Sequence, residues 1–186
     1  MSCSCFFCFA GSLVDPEPSG SALRHSDHEQ READLAAVTE LLGRRPAGEF
    51  EVVVRDELGG PVVIRNAPLL ANGRPMPTRY WLVGASIRAE IGRIESGGGV
   101  KAAEEAVGLE AIAKAHASYA AERDALIADD YEGPRPHDGV GGTRRGVKCL
   151  HAHYAWYLAG GADPVGQWVQ DQLDERAAAV EDATTS

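Results

Sequence analysis

The chain has 186 residues, of which 44% are hydrophobic and 25% are charged, and its formal net charge is -10. This length and composition fit one globular domain with additional residues at its ends. The negative charge argues against general nucleic-acid binding, which requires a cationic surface. Two stretches, residues 44–93 and 133–153, are nevertheless basic.

The N-terminal segment, residues 1–26, contains Cys3, Cys5 and Cys8 ahead of a stretch rich in Pro, Ser and Gly. It lacks the basic start and long apolar run of a secretion signal, and it is too short to span a bilayer. Its C-x-C-x-x-C spacing fits a metal site, but the composition favours a disordered tail or a misassigned start. We therefore expect a single domain over residues 27–181, followed by frayed residues 182–186.

The body of the chain contains one cysteine, Cys149, so it has no disulfide framework. A reducing cytoplasm is the compartment that this cysteine usage predicts.

The first predicted elements are a helix and a small sheet. Apolar residues at helical spacing follow Asp27, with Ser26 as the expected N-cap and Gly43 as the stop. Valine-rich and isoleucine-rich runs around Gly59 and Gly60 predict a hairpin of residues 50–56 and 62–66. A third strand is expected over residues 78–83.

The remainder is predicted to be mostly helical, with breaks at residues 97–99 and at Gly108. A polar loop over residues 131–146 precedes a helix of residues 147–159, and Asp163 and Pro164 begin the last helix. The fold class is therefore α+β, with a small antiparallel sheet of about three strands packed against a mostly helical remainder and a disordered N-terminal tail.

The segment "GVGGTRRGVK" has the composition of an anion-binding loop. Glycines let backbone N–H groups approach a ligand, and a helix N-terminus attracts negative charge. The alternative is a glycine-rich surface loop with solvated arginines. The ligand-binding candidates in this loop are Gly141, Gly142, Arg144, Arg145 and Lys148.

The helix after this loop contains a thiol and two imidazoles. Cys149 and His153 share one face of the predicted helix, whereas His151 falls nearer the opposite face. Two ligands are too few for a zinc site, so we predict no metal and no cofactor. Cys149 is either a buried thiol or a nucleophile whose thiolate is favoured by Lys148 and Arg145.

A second polar group lies on the long helix, where His116, Tyr119 and Arg123 recur at i, i+3 and i+7. These side chains either line a polar pocket or are satisfied inside the core, with Arg123 paired to an acid. Tyr80 and Trp81, next to Arg79, either line a nucleobase site or face opposite sides of the sheet.

Several motifs in this order resemble the bacterial domain-of-unknown-function family 501, which is common in actinobacteria. They are "NAPLLANGRPMPTRYWLVG", "AEIGRIESGGGV", "AHASYAAERDAL" and "GVGGTRRGVKCLHAHYAWYLAGGADPVGQWV". The likeness covers residues 34–169. It implies a cytoplasmic protein, often encoded near enolase, a septum-formation initiator and an exopolyphosphatase-like enzyme. The residues that match the family's motifs are His116, Tyr119, Arg123, Lys148, Cys149, His151 and His153.

One departure from the family pattern concerns metal binding. Where the family reads Thr-Cys-Pro, this chain has Val83, Gly84 and Ala85. If that cysteine joins Cys149 and a histidine around a metal in the family, this chain has lost a ligand.

These observations lead to two functional hypotheses. The first is a pocket that binds a small anionic ligand, such as a phosphorylated metabolite or a nucleotide-like molecule, without contact with a membrane. Its ligand-binding residues would be those of the loop together with Tyr119, Arg123 and His151. Any acid–base or nucleophilic chemistry would fall to His116, His153 and Cys149. The second is a noncatalytic adaptor for a cell-division or envelope partner, which would use the edge of the small sheet or the acidic last helix, in which Trp168 follows Val165 by three residues.

Overall fold

The computed structural model describes the backbone of residues 20–185 and the side chains of residues 27–183. The chain divides into two units, Met1–Ala33 and Asp34–Ser186, and the second contains the sheet and all the later helices. Of the predicted N-terminal tail, residues 1–19 with their three cysteines lie outside the described residues, as does Ser186. The first helix, α1, spans Gly20–Leu42, so it begins seven residues before Asp27. The prediction of a start at Ser26 was wrong because no proline or glycine between Gly20 and Gly43 interrupts the helix.

The sheet contains three antiparallel strands in the order β1 (Phe50–Arg55), β2 (Pro61–Asn66) and β3 (Tyr80–Leu82). The hairpin turn depends on Asp56, whose carboxylate accepts hydrogen bonds from the amides of Leu58 and Gly60. Gly59 has a positive φ of 83°, which side chains with a Cβ rarely adopt. The predicted hairpin and α+β class are therefore confirmed, although β3 is shorter than the predicted strand of residues 78–83.

The two faces of the sheet pack against different elements. On one face, Ile64 and Val83 form a cluster with Val38, which lies in the C-terminal part of α1. On the other face, Val63 and Leu82 join the main core with the later helices. Tyr80 belongs to the main core and Trp81 to the smaller cluster, so adjacent residues of β3 face opposite sides, as the alternating geometry of a strand requires.

Among the described residues, five α-helices follow the sheet: α2 (Ala85–Ser96), α3 (Gly99–Val107), α4 (Leu109–Asp124), α5 (Leu150–Leu158) and α6 (Pro164–Thr185). Gly108 separates α3 from α4 with a φ of 83°, as predicted. Asp163 is the predicted N-cap of α6, since its Oδ1 accepts hydrogen bonds from the amides of Val165 and Gly166. Among the described helices, none is both long enough and apolar enough to cross a membrane.

Helix α5 begins at Leu150 rather than at residue 147. Cys149 has an extended backbone, with φ -158° and ψ 146°, and Gly146 has a positive φ of 64°. Val147 and Lys148 therefore belong to the loop before α5. Residues 136–148 are called the 136–148 loop from here on.

Helices α4 and α5 contact each other through two pairs of rings. The ring centroids of His116 and His153 lie 5.5 Å apart, and those of Tyr119 and Trp156 lie 5.2 Å apart. The second pair lies three positions further along both helices than the first. The two helices therefore run side by side in the same direction, and ring pairs fill the space between them. The ring of His116 also accepts a hydrogen bond from the amide of Val140, so His116 connects the 136–148 loop with the interior of the protein.

Candidate functional site: a cleft between α4 and the 136–148 loop

The 136–148 loop is held at its start by a buried arginine of α4. Arg123 is 1% exposed, and its guanidinium donates hydrogen bonds to the carbonyl oxygens of Pro136, His137 and Asp138 at 2.8–3.3 Å. Its Nε also donates to a carboxylate oxygen of Asp124 at 2.8 Å. All three guanidinium nitrogens thus bind the protein itself, so Arg123 orders the loop and does not face a ligand.

His116 holds the middle and the far end of the same loop. Its Nδ1 accepts a hydrogen bond from the amide of Val140 at 3.1 Å, and its Nε2 lies 2.9 Å from the carbonyl oxygen of Gly146. These partners require the neutral tautomer with the proton on Nε2. Burial lowers the pKa of His116, and the neighbouring His153 lowers it further. His116 therefore stays neutral, and both of its nitrogens are occupied by the backbone.

The glycines of the loop allow tight turns and close packing. A Cβ at Gly139 would lie only 2.5 Å from Nδ1 of His116, so only glycine fits against this ring. Gly141 and Gly142 have positive φ values of 66° and 71°. The amide of Gly142 donates to Gly139, and the carbonyl of Gly141 accepts a hydrogen bond from the Lys148 ammonium at 3.2 Å. Gly141, Gly142 and Lys148 thus build the loop conformation.

The backbone amides before and at the start of α5 already bind carboxylates of the protein. Glu104 of α3 accepts a hydrogen bond from the amide of Val147 at 2.7 Å, and Glu95 of α2 accepts one from the amide of Leu150 at 2.6 Å. The predicted anion cradle of free helix-start amides is therefore corrected, because two internal anions occupy these donors. This also explains why α5 begins at Leu150.

A cleft with a volume of about 160 Å³ lies where α4 and the end of the loop meet. Its lining residues are Leu109, Ala113 and His116 of α4 and Arg144, Arg145 and Gly146 of the loop. The long helix and the two loop arginines thus border one cleft. Of the predicted site residues, the structure brings together His116, Arg144 and Arg145 here, whereas Tyr119, Arg123 and Lys148 do not line it.

The two arginines keep most of their hydrogen-bonding capacity. Arg144 is largely exposed, and its Nε donates to Oδ1 of Asp138 at 2.8 Å. Partial desolvation raises the pKa of Asp138, but hydrogen bonds from His137 and Arg144 outweigh it and lower the pKa overall. Within the described part of the chain, the guanidinium of Arg145 has no hydrogen-bond or ion-pair partner. An anion in the cleft would therefore find donors that the protein does not already use.

Behind His116 lies a buried imidazole–carboxylate pair. Nδ1 of His153 lies 2.7 Å from Oδ2 of Asp163, and the two side chains are 1% and 0% exposed. Because the carboxylate accepts, Nδ1 donates the proton, while Nε2 of His153 is buried without a hydrogen-bond partner among the described residues. Sequence reasoning identified Asp163 only as a helix cap. Its second role depends on a contact with the preceding helix, which no local pattern shows.

Two further site candidates have structural partners. Nδ1 of His151 lies 3.1 Å from Oε1 of Glu95, and its Nε2 lies 3.1 Å from the carbonyl oxygen of Arg88. The hydroxyl of Tyr119 accepts from the amide of Arg79 and donates to Pro77, while burial raises its pKa to about 12. His151 and Tyr119 therefore connect elements of the fold rather than line the cleft.

The environment of Cys149 is the reverse of the one expected for a nucleophile. Burial raises the pKa of the thiol, and the negative charge of Glu95 raises it further despite the opposing effect of Lys148. A raised pKa favours the protonated thiol, so of the two alternatives for Cys149 this environment favours the buried thiol over the nucleophile. Among the described residues, no group of three or more His, Cys, Asp or Glu side chains could hold a metal ion.

The surfaces suggested for an adaptor differ in their exposure. Val165 is fully buried, and Trp168 packs against the main core, so this part of α6 faces the protein's own interior. Strand β1 lies at an edge of the sheet. The first turns of α6 are therefore covered by the protein itself, whereas residues 174–183 of the same helix are exposed.

The fold and the site define an α+β protein with a small cleft between α4 and the 136–148 loop. Hydrogen bonds within the protein hold this loop, and two of its arginines line the cleft. Comparison with known families gives the same assignment as the sequence motifs. The chain belongs to the family described as Protein of unknown function (DUF501), whose model matches residues 52–171. No curated protein and no solved structure matches the chain.

Proposed function

We propose that this protein binds a small anion, such as a phosphorylated metabolite, in the cleft between α4 and the 136–148 loop. The observation that carries the proposal is the convergence of Arg144 and Arg145 on one cleft with His116. Arg144 commits one of its five N–H donors to Asp138, and the guanidinium of Arg145 has no partner within the described residues. Guanidinium groups bind phosphate and carboxylate oxygens through paired N–H donors.

The anchoring of the loop supports binding at this position. Arg123, His116 and Glu104 each hold a different part of the backbone that leads to the two arginines. A loop that is ordered before the ligand arrives loses less conformational entropy on binding. In this proposal Glu104 of α3 and the buried His116 and Arg123 of α4 contribute to affinity by keeping the arginine backbone in place.

The proposed activity is binding rather than acid–base catalysis at His116. A general base needs a free nitrogen within hydrogen-bond distance of the substrate, and both nitrogens of His116 are engaged by Val140 and Gly146. His153 has an Nε2 without a partner in the described part of the chain, but that atom is buried. The neutral His116 lines the cleft and holds the loop through its two hydrogen bonds.

We also propose that the protein is bacterial and that it resides in the cytoplasm. The support for the compartment is the cysteine usage, because the region from residue 27 onward contains Cys149 as its single cysteine. A chain with this pattern does not depend on an oxidising compartment for its fold.

The test is a thermal-denaturation titration with inorganic phosphate and with small phosphate esters. A ligand that binds the folded state raises its stability by about 2.7 kcal/mol at one hundred times the dissociation constant. We expect a concentration-dependent rise in Tm that is lost in an Arg144→Gln, Arg145→Gln double variant. The matched control is Arg74→Gln, Arg93→Gln, which removes the same charge from exposed positions outside the cleft.

Two results would contradict the proposal. One is the absence of any rise in Tm with all anions at millimolar concentration. The other is an equal loss of binding in the control variant, because net charge would then account for the effect rather than the cleft.

A further inference from the structure

We propose that the ligand of this cleft is an amphiphilic anion, in which one phosphate or carboxylate is attached to a compact apolar body about the size of a single ring. This inference rests on the proposed function, since it assumes that Arg144 and Arg145 bind the charged group. It adds the chemical class of the rest of the ligand, which the arginines alone do not specify.

One wall of the cleft is apolar. Leu109, the first residue of α4, is 62% exposed, and Ala113 lies one turn further along the same helix. The exposed leucine stands beside two arginines, so the cleft combines a cationic side with an apolar side. A ligand that covers Leu109 removes apolar surface from water while its anionic group meets the guanidinium groups.

The six lining residues offer no free side-chain acceptor for the proton of a sugar hydroxyl. None of them is Ser, Thr, Asn, Gln, Asp or Glu. Both nitrogens of the His116 imidazole already form hydrogen bonds to the backbone: Nδ1 accepts from the amide of Val140, and Nε2 donates to the carbonyl oxygen of Gly146. A hydroxyl group buried against Leu109 and Ala113, away from the arginines, would therefore lose hydrogen bonds to water without replacing them. This disfavours polyol phosphates relative to apolar ones.

The size of the cleft limits the apolar body. Its volume is about 160 Å³. An apolar cavity of about 150 Å³ holds one benzene molecule. The cleft therefore accommodates one aromatic ring or a short branched aliphatic chain, with the charged group at the arginines. A complete nucleoside is larger than this volume.

The test compares two phosphate monoesters of the same charge type, phenyl phosphate and glycerol 3-phosphate, by calorimetric titration of the full chain. We expect phenyl phosphate to bind roughly tenfold more tightly, the ratio that corresponds to burial of part of a ring. Leu109→Ser should reduce this ratio to about twofold or less while the affinity for inorganic phosphate stays unchanged. Leu126→Ser, another exposed leucine outside the cleft, is the matched control and should leave the ratio intact.

Each outcome separates this inference from the proposed function. If glycerol 3-phosphate binds as tightly as phenyl phosphate, the amphiphilic class is wrong but the anion site stands. If Leu109→Ser leaves the ratio unchanged while binding inorganic phosphate normally, the apolar wall is wrong. If the wild-type chain binds neither ester nor inorganic phosphate, the proposed function fails and this inference fails with it. Ala113→Ser provides a second variant on the same wall if Leu109→Ser does not fold.

Discussion

Nδ1 of His153 donates a hydrogen bond to Oδ2 of Asp163 at 2.7 Å, and both side chains are buried. The other carboxylate oxygen of Asp163 binds the first amides of α6. One carboxylate thus fixes the start of α6 and the tautomer of an imidazole on α5. The sequence of the connecting segment, with Gly160 and Gly161 ahead of Asp163, allows the chain to turn tightly enough for this contact.

Asp163→Asn should reverse the tautomer of His153. The amide oxygen of Asn can still cap α6, but its NH₂ group would face Nδ1 of His153, so Nδ1 must become an acceptor and Nε2 must carry the proton. We expect a loss of about 1–3 kcal/mol in the free energy of unfolding. Imidazole ¹⁵N chemical shifts measure the tautomer directly. Asp171→Asn, an exposed position on α6, is the control, and an unchanged tautomer in Asp163→Asn would refute the assignment.

Arg123→Met should release the start of the 136–148 loop. The substitution removes the donors that bind three consecutive carbonyl groups at Pro136, His137 and Asp138. We expect a destabilisation of about 2–4 kcal/mol in urea denaturation, together with faster amide exchange in the loop. Arg93→Met, which breaks an exposed ion pair with Glu90, should cost about 0.5 kcal/mol or less. Equal effects of the two variants would show that Arg123 is not an anchor.

Much of the fold could be predicted because its signals are local. The hairpin turn at Gly59, the break at Gly108 and the cap at Asp163 each depend on residues within a few positions of one another. The start of α5 could not be predicted in this way. It depends on Glu95, which binds the amide of Leu150 from 55 residues away. A carboxylate at that distance leaves no periodic signal in the sequence.

The candidate site was predictable in its residue types more than in their roles. Spacing on a helix correctly grouped His116, Tyr119 and Arg123, but spacing cannot show whether a polar side chain faces a ligand or a backbone carbonyl. The structure assigns His116 to both the loop and the cleft, and Arg123 to the loop alone. The loop arginines were recognised from their position in a glycine-rich basic segment, and the structure adds that Arg144 binds Asp138 while Arg145 has no side-chain partner among the described residues.

Gly139→Ala and Gly92→Ala should change stability in opposite directions. A Cβ at Gly139 would lie 2.5 Å from Nδ1 of His116, so the loop or the imidazole would have to move. We expect a loss of about 1–3 kcal/mol. Gly92 lies inside α2, and outside that helix's own backbone no described atom lies within 4 Å of where an alanine methyl group would be, so alanine there should gain up to about 1 kcal/mol. Thermal denaturation of both variants measures the contrast, and a stabilised Gly139→Ala would contradict the close packing.

The contribution of His116 to stability should decrease in acid. Its pKa is lowered in the folded state, so the unfolded chain binds a proton more readily than the folded chain. Stability from this group is fully present above the unfolded pKa of about 6.5 and is lost as the pH falls from there towards the lower folded pKa. His116→Gln retains an acceptor and a donor but does not titrate. The difference in unfolding free energy between wild type and this variant should shrink between about pH 7.5 and about pH 5.5, whereas a constant difference would contradict the neutral imidazole.

The central claim is that the anchored 136–148 loop and α4 form one anion-binding cleft. The most direct measurement is an NMR titration of the ¹⁵N-labelled protein with phenyl phosphate, followed through backbone amides and arginine Nε signals. The account predicts saturable shifts at Gly146, at Ala113 and at the Nε of Arg144 and Arg145, with no comparable shift at Arg74. Shifts that cluster elsewhere, or a spectrum that does not change at millimolar ligand, would contradict it.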